Sequence, residues 1–193
     1  HISFYSLKIE ERTPLFNMVT NNKIEMPEEM LEREMYYAGR KEMKENNIYQ
    51  YEISNFAKSG YECKHNIKYW TQKPYIGIGP AAHSYINKQR YNNIDSLSEY
   101  CKCILNGKQS IISKEIIDYN EQIFEYLILR FRLTEGIYFS DFKKTFRVDM
   151  YDVYKDIIDE LKKFNLIQIN KDNIRLTQKG MDISNYVFAK FLI

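Results

Sequence analysis

Apolar and polar positions alternate along the first ten residues, HISFYSLKIE. Ile2, Phe4 and Ser6 fall on one side and Ser3, Tyr5 and Leu7 on the other, the period of a strand. After a turn carrying Pro14 the period lengthens, and MPEEMLEREMYYAGRKEMKENN reads as a helix. Pro27 suits its first turn, and acidic residues at its start with basic ones later complement the helix dipole. Leu31, Met35 and Ala38 supply part of the stripe expected to be buried. IYQYEISNFA reads as a second strand, so the order strand, helix, strand points to a βα unit in the style of a parallel sheet. CKHNIKYW is then expected as a loop, and PYIGIGPAAHSYI as a strand broken by Gly77 and Gly79. Positions 84–86 and 90–92 are expected to pair around the turn NKQ.

From Leu97 the pattern changes to short helical segments, expected over 97–106, 115–133, 140–146, 149–164 and 178–191, with a hairpin at LIQINKDNIRLT. The order helix, helix, hairpin, helix is that of a winged helix, and a boundary near Asp95 divides the chain into 1–95 and 96–193. A winged helix raises nucleic-acid binding. The helix before the hairpin, DMYDVYKDIIDELKKF, carries five acids against three lysines, with Met150, Val153, Ile157, Leu161 and Phe164 as its core stripe. Its outer face would be acidic, the wrong sign for a phosphate backbone.

Composition adds boundaries rather than a function. At 44% apolar and 28% charged residues the chain has an ordinary globular balance, and a net charge of +2 creates no field for nucleic acid or an anionic membrane. Three irregularly spaced cysteines make no disulfide framework, which suits a reducing, cytoplasmic setting. No apolar run approaches the roughly 20 residues that span a bilayer. The chain opens inside a strand-like alternation without a methionine, so it is expected to be a piece of a longer protein.

Among candidate chemistry, Cys63-x-His65 offers half of a metal site, but zinc needs four ligands. The remaining candidates are His83 and Cys101-x-Cys103, and residues two apart on a helix diverge. GIGPAA lacks the full glycine pattern of a dinucleotide loop and suits a strand end approached closely by backbone or ligand. In RFRLTEG, Arg130 and Arg132 beside Glu135 best suit intramolecular ion pairs, although beside a tetrapyrrole or phosphate site guanidinium groups grip carboxylates bidentately. No paired-carboxylate or Ser/His/Asp set emerges from spacing.

The stretches HISFYSLKIEERTPL, YEISNFAKSGYECKHNIKYW, YIGIGPAAHSYI, FRLTEG and LTQKGMDISNYVFAKFL occur in this order. Together they resemble the C-terminal half of the HemN/HemW family of radical SAM proteins, which holds oxygen-independent coproporphyrinogen III oxidases and their haem-chaperone relatives. The resemblance runs over essentially the whole chain. It implies an α/β plus mainly α fold: the C-terminal part of a partial radical SAM (β/α) barrel with extra strands in 1–95, then a helical, winged-helix-like HemN C-terminal domain in 96–193. HISFYSLKI would be the last barrel strand, extended by YEISNFA and YIGIGPAAHSY, with binding residues at strand C-terminal ends.

The same resemblance implies cofactors. Family members hold a [4Fe–4S] cluster through a Cys-x-x-x-Cys-x-x-Cys loop and bind S-adenosylmethionine at its free iron. The chain contains no such loop, and none of Cys63, Cys101 or Cys103 matches it. No residue here is therefore assigned to catalysis or cluster ligation, and the chain alone is expected to be inactive. Ser6 and His83 are the implied S-adenosylmethionine contacts, with Gly77 and Gly79 shaping the approach. His83 stands where the oxidase has an aliphatic residue, which points to contact through its backbone. H-N-x-x-Y-W, as His65, Asn66, Tyr69 and Trp70, resembles the haem-chaperone branch, where that histidine is a proposed haem contact. Neutral imidazole is a common haem ligand, and the flat rings would flank a porphyrin. Asn66 also falls near a glutamine of the oxidase's second cofactor site. The implied function is haem binding and delivery to a recipient protein; the alternative is oxidative decarboxylation of coproporphyrinogen III to protoporphyrinogen IX. Arg12, Arg130 and Asn165 stand where the family often has glycine.

Overall fold

The N-terminal alternation yields only a two-residue strand, β1 (Ile2–Ser3), in the computed structural model, which describes residues 1–192. The first of two compact units, His1–Cys63, continues with α1 (Pro14–Thr20), α2 (Glu29–Glu45), β2 (Tyr49–Glu52) and β3 (Asn55–Ala57). YEISNFA is therefore two strands, not one. The carboxylate of Glu52 is fully buried and accepts from the Ser54 backbone N–H at 3.1 Å and from the Asn55 side-chain amide, which closes the turn between them. Both β1 and β2 pair antiparallel with β3, in the order β1-β3-β2. β1 and β2 thus run the same way, as a βα unit requires, but the returning β3 occupies the place between them.

The buried side of α2 differs from the expected stripe. Leu31 and Met35 are 50% and 58% exposed, whereas Met43 is buried and the Phe4 ring stacks on Tyr36, 5.4 Å between centroids. Gly39 makes this possible: a Cβ there would lie 2.7 Å from Phe4 Cζ. A glycine inside a helix costs about 1 kcal/mol, and here it admits an aromatic ring.

The second unit begins at Lys64. CKHNIKYW is not a loop, because α3 (Lys64–Trp70) occupies it. PYIGIGPAAHSYI is not one strand either: it doubles back, so that Tyr75 bridges Tyr85 antiparallel and only β4 (His83–Ile86) is extended. β4 pairs with β5 (Gln89–Asn93) as expected, through Asn87 and Lys88 at positive φ, the geometry of a two-residue hairpin turn. After α4 (Leu97–Leu105), β6 (Ile111–Ile116) adds to the far side of β5, where a helix start was expected. This sheet, β4-β5-β6, is separate from that of the first unit and crosses Asp95. Asp118 delays the helix by capping α5 (Tyr119–Arg130), its carboxylate accepting from the Glu121 backbone N–H at 2.9 Å.

The winged-helix order is present: β7 (Ile137–Tyr138), α6 (Phe139–Phe146), α7 (Met150–Lys163), and the hairpin of β8 (Ile167–Ile169) and β9 (Asn173–Leu176), in sheet order β7-β9-β8. The expected last helix is two, α8 (Gln178–Asp182) and α9 (Ser184–Lys190), divided at the non-helical Ile183. Leu127, Phe131, Phe142, Ile158, Leu161, Ile174, Val187 and Phe191 form the core. On α7 the buried stripe is Met150, Tyr154, Ile158 and Leu161, while Val153 and Phe164 are exposed. The observed stripe keeps Met150 and Leu161 and takes Tyr154 and Ile158 between them, a regular helical spacing, and the backbone departs from helical geometry at Tyr154 (φ −123°, ψ 21°). Arg12 and Asn165 take positive φ, so both fill glycine-like turns, whereas Arg130 is helical.

Candidate functional site

His65 and Tyr69 are four residues apart on α3 and share a face. Their rings meet edge to face at 4.9 Å, with His65 exposed and Tyr69 half-buried. Tyr69 meets Tyr75 at 4.6 Å, and Tyr75 lies beside Tyr85 at 6.4 Å. With Trp70 these rings wall a cavity of 360 Å³, whose aliphatic lining is Ile128 and Leu129 of α5. The Arg132 guanidinium lies 4.2 Å from the Trp70 ring centroid, and the indole N–H is buried without an acceptor.

The charged lining of this cavity is one pair, Arg90 on β5 and Glu125 on α5. Arg90 also reaches Glu115 on β6 at 3.2 Å. Burial by itself disfavours the guanidinium charge, but the hydrogen bond to Glu125 and the charges of Glu125 and Glu115 outweigh it and hold the Arg90 pKa above its ordinary value. Burial pushes up the Tyr75 phenol, reinforced by Tyr69, and the Tyr85 phenol, reinforced by Glu125. Both phenols are neutral at physiological pH, so the cavity is an aromatic slot with a compensated ion pair.

The glycine segment frames a second hollow of 500 Å³, lined in part by Ile76, Gly77, Ile78, Tyr91 and Tyr100. Asn93 holds the segment: its side-chain amide donates to the carbonyls of Gly77 at 3.3 Å and Gly79 at 2.9 Å. Gly77 N–H donates to Ser84 Oγ and Gly79 N–H to Tyr100 Oη. A Cβ on Gly77 would sit 2.1 Å from the His83 carbonyl oxygen, so the close approach there is made by the chain's own backbone. Gly79, at φ +112°, has open space beside it. The His83 side chain is exposed and lies outside the hollow's lining. Ser6, exposed, lines a hollow of 400 Å³ in the first unit with Phe4, Tyr36 and Met35.

Tyr69 and Trp70 therefore come together in the cavity wall, His65 touches Tyr69 from outside the lining, Asn66 is half-buried and also outside it, and the glycine group forms a different hollow. The [4Fe–4S] cluster does not fit this chain. Cys101 and Cys103 share α4, Cys63 precedes α3, and among the described residues no three metal-ligating side chains converge. Arg132, read from spacing as an ion-pair residue, proves to stack on Trp70. Tyr75, Tyr85, Arg90, Glu125 and Asn93 were not legible as site residues. The alternation of tyrosines either side of the glycine turn was their one local signal.

Residues 117–183 match the HemN C-terminal domain. Over 192 residues the chain is 32% identical to the heme chaperone HemW of Bacillus subtilis (strain 168), covering all of this chain and 51% of that protein. It is likewise 32% identical to the heme chaperone HemW of Lactococcus lactis subsp. lactis (strain IL1403), over all of this chain and 50% of the relative. The chain is thus similar to HemW proteins over its whole length and carries a match to the HemN C-terminal domain. Its fold matches coproporphyrinogen III oxidase (HemN) from Escherichia coli, a radical SAM enzyme, with a TM-score of 0.69 at 14% identity, over 90% of this chain and 44% of that one. The chain spans about half the length of the HemW relatives it matches.

Proposed function

We propose that this chain is the part of a HemW-like haem chaperone that carries haem, with His65 as the axial ligand and the aromatic slot beside it as the porphyrin's seat. The observation that supports this reading is the placement on α3. An exposed imidazole stands one turn before Tyr69 and Trp70, so an iron bound at His65 would bring the macrocycle over flat apolar surface. Ring stacking and apolar burial would supply affinity, and exposure of His65 would allow haem to pass to a recipient protein. In the whole protein a [4Fe–4S] cluster and S-adenosylmethionine would supply any radical chemistry. Of the residues here, Gly79, with its open side, and the exposed Ser6 are the candidates to approach S-adenosylmethionine. The partial barrel in 1–95, the division from 96–193 and a cytoplasmic location belong to the same proposal. No helix among the described residues is long and apolar enough to cross a membrane.

The fold likeness to HemN favours a second reading, coproporphyrinogen III oxidation. One comparison separates the two. The full-length protein with reconstituted cluster, given coproporphyrinogen III and S-adenosylmethionine, yields no protoporphyrinogen if it is a chaperone. Titration with haem shifts the Soret band of wild type, and His65→Ala weakens binding on the order of tenfold or more. Identical titrations would remove His65 as ligand.

A further inference from the structure

We propose that the slot beside His65 selects the apolar edge of the tetrapyrrole, taking a vinyl-bearing pyrrole and rejecting one that carries a carboxylate; this rests on the haem reading above. At 360 Å³ the cavity is at the lower end of small-molecule sites, which run from about 300 to 1,000 Å³. It has room for one edge of a macrocycle that is otherwise outside. His65 sets which part arrives: its ring touches Tyr69, and Tyr69 is itself a wall of the cavity, so a macrocycle centred on His65 reaches the slot with its rim.

Protohaem has two chemically opposite rims, one bearing vinyl and methyl groups and one bearing two propionates. The slot's lining decides between them. Four aromatic rings, Ile128 and Leu129 match a vinyl group, and an apolar contact of this kind gains roughly 25 cal/mol per Å² removed from water. The charges oppose a propionate. Arg90 is the one cation in the lining, and it already serves Glu125 and Glu115. The trio sums to one net negative charge. Arg132 lies on the Trp70 ring face and outside the slot's lining. A carboxylate entering the slot would lose its water beside Glu125 with neutral donors alone left to receive it, the Gln72 amide, the phenols of Tyr69, Tyr75 and Tyr85 and the Trp70 N–H, and a buried charge without an opposite charge is strongly disfavoured. The propionates of haem would therefore face solvent.

The selection has a consequence for discrimination. Coproporphyrin III carries propionates where protoporphyrin IX carries vinyls, so both of its corresponding rims are acidic. A site of this chemistry accepts finished haem and excludes its tetracarboxylate precursor.

The test is a set of equilibrium titrations of the full-length protein, followed in the Soret band, with three iron porphyrins. These are iron protoporphyrin IX, iron mesoporphyrin IX (ethyl in place of vinyl) and iron coproporphyrin III. The expected result is near-equal affinity for the first two and a loss of at least about tenfold for the third, since like charges brought together at a site cost several kcal/mol. In Glu125→Gln, which removes one negative charge while keeping an acceptor for Arg90, the penalty against iron coproporphyrin III shrinks. Equal affinity of wild type for all three overturns the slot proposal and leaves His65 ligation standing. A Soret response to none of the three overturns the haem reading itself, and with it this inference.

Discussion

Gly77 shows how a single missing carbon can hold a site together. The chain doubles back so closely that the His83 carbonyl oxygen occupies the space a side chain would need. Gly77→Ala should therefore destabilise the protein by about 1–3 kcal/mol, read as a lower urea midpoint, and should loosen the Asn93 bonds that fix the glycine segment. An unchanged midpoint would mean that the two strands separate freely. The opposite substitution is expected to help at Arg147. This residue caps α6 in the left-handed region at φ 63°, where an L side chain is strained and glycine is not. Arg147→Gly should raise stability by up to about 1 kcal/mol, visible as a higher urea midpoint with an unchanged slope. Asn165, at φ 56°, ends α7 in the same way, with the Leu166 N–H bonded to the Leu161 carbonyl at 2.9 Å. Asparagine tolerates that region better, so the gain there should be smaller.

Among the elements, α7 carries the clearest lesson about register. A helical stripe through Met150 can run by way of Val153 and Ile157 or of Tyr154 and Ile158, and packing chooses the second, with Ile158 fully inside and Val153 at 41% exposure. Ile158→Ala should then cost about 2–5 kcal/mol, while Val153→Ala should stay within roughly 0.5 kcal/mol. Equilibrium unfolding of the two variants side by side gives the answer, and reversed magnitudes would restore the stripe through Val153. The same comparison explains α2. Its period was legible, but which residues face inward was decided by where the Phe4 ring lands, against Gly39 and Tyr36. For α3 the local pattern was too short to announce a helix. Its seven residues hold their shape while Tyr69 and Trp70 pack around the cavity shared with α5.

Across the whole molecule the tyrosines link stability to pH. Burial raises the phenol pKa of Tyr75, Tyr85, Tyr126 and Tyr154 above the ordinary value of 10.0. A phenol that resists ionisation in the folded state contributes stability that is fully present below pH 10. That contribution is lost as pH rises through the native values, because the unfolded chain ionises first. Alkaline titration should accordingly show a late group of tyrosines whose phenolate absorbance appears together with loss of far-ultraviolet circular dichroism. A single ionisation with intact secondary structure would contradict the burial of these rings.

By itself the sequence determined the winged-helix order of the C-terminal part, the β4–β5 hairpin, the helical period of α2 and the family resemblance. Each of these is local, resting on hydrophobic period, turn chemistry or motif order. It also marked His65, Tyr69 and Trp70, through the family resemblance that H-N-x-x-Y-W carries. The tertiary structure alone decided the rest. β3 folds back between β1 and β2, β6 pairs with β5 where a helix was expected, and Arg132 lies on Trp70 rather than serving only as an ion-pair partner. Above all it built the slot, by bringing Arg90 on one strand to Glu125 on a helix 35 positions away beside rings from α3 and the glycine turn. Contacts between such distant positions depend on how the strands and helices pack, and neither period nor propensity along the chain encodes them.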